Sequence, residues 1–213
     1  MGGPSGFHRQ APRRQNLGIA TVYQDLALCD NIDVVGNLFL GRELKRFGVL
    51  DEVEMERRAR ELLTTLSIRI PSVRIPIASL SGGQRQTVAI ARSMLGEPKL
   101  VILDEPTAAL GVEQTAQVLD LVERLRERGH AVILISHNMA DVKAVADKVA
   151  VLRLGRNNGV FDVADTSQEE IISAITGATD NAVTRRAAYR GGPQVSTHQP
   201  AADPLDKGTQ QHV

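Results

Sequence analysis

The stretch LSGGQRQTVAIARSMLGEPKLVILDEP, Leu80 to Pro106, decides how the rest of the chain is placed. Ser81 followed three residues later by Gln84 is a capping-box pattern: the serine accepts from first-turn amides while the glutamine reaches back. The predicted helix runs on Val88, Ala91 and Leu95 and stops at Gly96 and Pro98. Gly82 and Gly83 leave the amides of its first turn uncovered by side chains, and free amides with the helix dipole attract anions such as phosphate. Leu100 to Leu103 is a continuous apolar run, expected of a parallel strand buried on both faces. Asp104 and Glu105 follow at its carboxyl end, where open α/β sheets bind ligands and where two carboxylates suit a magnesium ion and a water-activating base. Alone, a capped helix with two glycines is a helix start, and an Asp-Glu pair is a solvated turn. In this order and spacing they point together to phosphate chemistry.

The string LSGGQ followed by LVILDEPTAAL resembles the ATP-binding cassette (ABC) family, with its signature motif and its Walker B motif. The resemblance implies a P-loop NTPase-like α/β fold, a mostly parallel sheet with an inserted α-helical subdomain, and the use of ATP and Mg2+. By resemblance Asp104 holds magnesium through water and Glu105 is the general base. His137, after the predicted strand Ala131 to Ile135, matches the switch histidine that contacts the γ-phosphate. Gln24, after Ile19 to Tyr23, matches the Q-loop glutamine that links magnesium to the transporter. Ser81, Gly82, Gly83 and Gln84 would close over ATP held by an opposite subunit. Pro106 to Gly111 stands in the place of the D-loop, but Ala108 and Gly111 replace that loop's usual serine and aspartate, which puts its contacts across a dimer in question.

At 213 residues the chain holds one core domain with a small subdomain. Net charge is zero, so no basic field argues for nucleic acid and no polybasic cluster for anionic lipid. Cys29 is the sole cysteine; it makes no internal disulfide and reads as a small apolar residue. No apolar run approaches the roughly 18 residues that span a bilayer, so any membrane link comes through a partner.

Residues 1–16, rich in Gly, Pro and Arg, read as a disordered lead-in, and 179–213 as a disordered tail. Between them, 17–178 is the expected partial nucleotide-binding domain, with the helical subdomain over about 31–95. Asp51 is positioned to cap a helix with Met55, Ala59, Leu62 and Leu66 on its inner face. Thr115 to Leu125 forms a further helix. Lys148 to Leu152 is a strand, the run Gly155 to Gly159 a hairpin turn, and Ser167 with Glu170 the capping box of a last helix.

The sequence contains no GxxxxGK[ST] string, whose amides and lysine cradle phosphates. The chain is therefore expected to be an N-terminally truncated cassette without its Walker A region, exposing apolar surface on neighbours such as Ile102 and Ile133. Loss of about three charge-assisted contacts of roughly 1.5 kcal/mol each would weaken ATP binding on the order of a thousandfold. Two functions follow. One is the ATP-hydrolysing subunit of a sugar importer on the cytoplasmic face of the cell membrane. Its implied partners are transmembrane permease subunits, a second ABC ATPase subunit in a homo- or heterodimer and, indirectly, a periplasmic binding protein. The other is a non-catalytic fragment or interaction subunit that lends its signature motif to a complete cassette.

Overall fold

Apolar runs along three short strands set the frame. The computed structural model describes residues 17–178, and the disordered segments expected at 1–16 and 179–213 lie outside the described residues. In chain order the elements are β1 (Ile19–Val22), α1 (Val34–Phe39), β2 (Lys45–Arg46), β3 (Val49–Leu50), α2 (Glu52–Thr65) and a 3-10 turn (Ile77–Ser79). They continue as α3 (Gly82–Met94), β4 (Leu100–Asp104), α4 (Val112–Glu127), β5 (Ala131–Ile135), α5 (Met139–Val145), β6 (Lys148–Arg153), β7 (Arg156–Asp162) and α6 (Gln168–Thr176). The chain divides into two compact units, whose described residues are 17–149 with 161–166, and 150–160 with 167–178.

In the first unit β1, β4 and β5 pair in that order, all parallel, with Thr21, Ile102 and Ile133 in one row and Val22, Leu103 and Leu134 in the next. Val22, Val101 and Leu103 are buried in one core with Val88 and Ile90 of α3 and Leu121 and Leu125 of α4. Strand residues alternate between faces, and the other face is more open: Ile133 and Ile135 are each 47% exposed, while Ile102 is half-buried. The expectation of burial on both faces therefore fails, because the core lies on one side of these strands.

The expected mostly parallel sheet is also corrected. Among the described residues parallel pairing is confined to three strands, and four more form two separate ribbons, β2 with β3 (antiparallel) and β6 with β7. Their connections, Phe47–Gly48 and Leu154–Gly155, have positive φ at both residues (53° and 84°, 47° and 75°). That is the type I′ pattern, which returns the chain antiparallel within two residues. Phe47 and Leu154 are not residues that ordinarily announce a left-handed backbone. Consequently β2–β3 is invisible in the helical pattern of its surroundings, and the second turn comes before the Arg156 to Gly159 run, which lies in β7.

Asp51 accepts from the Glu54 amide (3.1 Å) to start α2, as its cap predicts. Met55, Ala59 and Leu66 are buried as expected, but Leu62 of the expected stripe is half-buried and Leu63 is buried in its stead. On its outer face Arg57 and Arg58 each donate to Glu54, holding that carboxylate down at a pKa of about 2. Val118, Leu121, Val122 and Leu125 are the buried stripe of α4. In the second unit Val151, Ile171 and Ala174 are buried, and Asn158 donates to the Ala174 carbonyl (2.6 Å). Ser167 and Glu170 make the predicted capping box, and α6 ends at Gly177 with φ 72°.

Candidate active site

Parallel strands deliver their carboxyl ends to one edge of the sheet, so the residues that follow β1, β4 and β5 share that edge. Asp104 is the last residue of β4 and pairs with Ile135 of β5. The Glu105 amide then donates to the Ile135 carbonyl (2.9 Å), after which the chain leaves the ladder with Glu105 at φ 48°. That left-handed turn is rare for a non-glycine residue and is a form of local strain found at functional sites. Its effect is to bring the Glu105 carboxylate to His137, with Oε2 2.8 Å from Nδ1. The hydrogen bond and negative charge of Glu105 raise the His137 pKa above its ordinary value, aided by the charge of Asp141. Glu105 is mostly covered whereas His137 is 81% exposed, so the pair presents an imidazole to solvent beside a sheltered carboxylate.

Gln24 lies two residues beyond β1 at the same edge and is exposed. The segment that follows is pinned from behind. Asn37, fully buried in α1, accepts from the Cys29 amide (2.7 Å) and donates to the carbonyls of Cys29 (2.9 Å) and Asp33 (3.0 Å). Arg92 of α3 donates to the Ala27 carbonyl (2.7 Å). These bonds tie the loop after Gln24 to two helices.

The start of α3 carries the second group. Ser81 Oγ accepts from the Gln84 amide (3.3 Å), and Gln84 Oε1 accepts from the Ser81 amide (3.0 Å), a complete capping box. Ser81 is exposed, Gly82 half-buried and Gly83 buried. The two glycines differ in what demands them. A Cβ on Gly83 would lie 2.9 Å from Gln114 Cβ, while one on Gly82 would meet Leu110 Cδ2 at 3.3 Å and Gln114 Oε1 at an ordinary 3.7 Å. Gly83 is thus required for close approach of α3 to the start of α4, a packing role beyond the open amides inferred from sequence.

Three side chains absent from the sequence reasoning join the strand-end group. Thr107 donates to Asp141 Oδ2 (2.6 Å), and Asn138 donates to Asp141 Oδ1 (3.0 Å) while its own Oδ1 accepts from the Ala140 amide (3.0 Å). The signal available was local: asparagine before a helix with an acid three residues on is a helix-start pattern. Its link to Thr107 was not local. Among the described residues no three His, Cys, Asp or Glu gather as a metal-binding group. Magnesium needs no such group, since it keeps several waters and takes one or two carboxylates plus substrate phosphates. Asp104 at the strand end fits that demand.

A family model described as ABC transporter matches residues 5–108. The fructose import ATP-binding protein of Rhizobium meliloti is 42% identical over 187 residues, covering 84% of this chain and 72% of that protein. The xylose/arabinose import ATP-binding protein of Sulfolobus acidocaldarius is 40% identical over 162 residues, covering 76% of this chain and 64% of that protein. Among solved structures, the dimeric post-hydrolysis state of the ATP-binding cassette MJ0796 with ADP and Pi superposes with a TM-score of 0.56 at 25% identity. It covers 68% of this chain and 62% of that one. These matches correct the expected N-terminal truncation: the family match begins at residue 5, inside the segment set aside as a lead-in. A Gly- and Pro-rich composition without periodicity belongs equally to loops of a domain, so it does not mark where a domain starts.

Proposed function

The chain belongs to the ABC transporter ATP-binding family, and from that premise we propose that it is the ATP-hydrolysing subunit of an importer for a sugar, working with ATP and Mg2+. The observation that carries the proposal is the edge where Asp104 ends β4 and Glu105 meets His137 at 2.8 Å. A sheltered carboxylate beside an imidazole is the arrangement needed to take a proton from an attacking water and to present a donor to a phosphate oxygen. Asp104 would hold the metal, which supplies charge neutralisation for the phosphates. Glu105 acts as the base, and His137 faces the terminal phosphate. Gln24, on its tethered loop, reports the state of this edge to the membrane partner. The exposed Ser81 and the first turn of α3, with Gly82, Gly83 and Gln84, offer amides to phosphates held by a second ATPase subunit.

The sugar assignment rests on the sugar importers among the relatives. Transmembrane permease subunits, a second ATPase subunit and, through the permease, a periplasmic binding protein are the partners this places around the chain. No described helix is long and apolar enough to cross a membrane, so attachment at the cytoplasmic face comes through the permease. A cavity of about 410 Å³ suits that contact: Phe39, Leu62 and Leu95 form apolar walls, and Arg42, Arg58 and Arg128 line it as well.

The test is MgATP hydrolysis by the full chain, alone and co-assembled with the permease subunits in vesicles. Turnover that rises when a transported sugar and its binding protein are added is the expected result. No hydrolysis in either setting overturns the proposal, and turnover indifferent to every sugar overturns the assignment of cargo.

A further inference from the structure

Between the two loops that carry Glu105 and His137, the last backbone link is the bond from the Glu105 amide to the Ile135 carbonyl. Beyond it, the hydrogen bonds that join the loops are made by side chains. Asp141 is 5% exposed and Thr107 9%, and both carboxylate oxygens of Asp141 are in use. One accepts from Thr107 Oγ1 at 2.6 Å, on the loop after β4, and the other from Asn138 Nδ2 at 3.0 Å, on the loop after β5. A carboxylate buried on two neutral donors is costly to keep unless it does something an apolar residue would not do. Here it ties together the two segments whose other contact is the Glu105 to His137 pair.

We propose that Asp141 is a positioning residue that latches the Thr107 loop to the His137 loop, so that Glu105 and His137 are held at reacting distance. The inference rests on the function proposed above for that pair. The latch gives the turn after Glu105 a route to His137: a movement of Thr107 pulls on Asp141 and hence on Asn138, the residue next to the histidine. Any contact made by Pro106 to Gly111 with a second subunit is thereby felt at the proton-carrying pair.

Two measurements on the full chain test this. The first is the 15N resonance of His137 Nδ1, which reports its bond to Glu105 independently of turnover. The second is MgATP hydrolysis resolved into kcat and KM. Thr107→Val keeps the side chain's shape while deleting its donor, and it leaves in place the Asp141 charge that itself acts on His137. It should move the Nδ1 resonance toward that of Glu105→Gln and lower kcat on the order of tenfold to a hundredfold, with KM for ATP changed less than twofold. Thr107→Ser, which retains the hydroxyl, should restore both. An unmoved resonance in Thr107→Val overturns the latch. A moved resonance with full turnover upholds the latch and removes Glu105 and His137 from the chemistry, so the two failures are distinct.

Discussion

The start of α3 and the Glu105 to His137 edge, both proposed above to meet phosphate, are built by opposite means. Ser81 and Gln84 satisfy one another within a single turn of chain. The strand-end group depends on partners far apart in sequence, Thr107 and Asp141 being 34 residues apart. A local device keeps its geometry as long as its helix exists, whereas a long-range one keeps it only while the sheet and both loops are in register. The first is thus a stable surface to dock against, and the second a site whose geometry is set by the tertiary structure.

Substitutions should separate the two. The largest effect is expected for Glu105→Gln: turnover should fall by about a hundredfold or more with MgATP affinity preserved, measured by single-turnover kinetics beside equilibrium binding. Turnover within threefold of the parent would take Glu105 out of the base role. Next, Gly83→Ala should destabilise the fold by about 1–3 kcal/mol in urea titrations, because its Cβ would press on Gln114. Gly82→Ala should cost visibly less, since a leucine side-chain end can give way. Equal effects at both positions would show that the packing distinction is wrong.

Ser81→Ala should remove about 1 kcal/mol by loss of the cap, while leaving the His137 Nδ1 resonance where it was. A shifted resonance would mean that the two regions are coupled. The smallest effect concerns pH. With its pKa raised on folding by Glu105, His137 contributes stability that is fully present below the unfolded histidine value of about 6.5. That contribution is lost as pH rises through the raised value. The urea midpoint of the parent should therefore drop relative to that of His137→Gln as pH rises above about 6.5; parallel curves would break the assignment.

Much of the framework was legible in the residues. The capping boxes at Ser81 and Ser167, the Asp51 cap and the apolar runs of β4 and β5 lie where pattern reasoning puts them. Each is decided by neighbours a few residues away. The two ribbons were not legible, because Phe47 and Leu154 occupy left-handed turn positions that their side chains do not advertise. Nor was the one-sided burial of the sheet: an apolar run such as Ala131 to Ile135 reads the same whether one face or two are covered.

By itself, then, the sequence determined the capped helix starts, the strand runs of the parallel sheet and the chemical identity of the residues at their ends, since capping and periodicity are short-range. Only the tertiary structure decided that Glu105 turns through a left-handed backbone onto His137, that Gly83 exists for Gln114, and that Asp141 spans two loops. Those contacts join segments that share no local pattern and meet because β4 and β5 pair side by side.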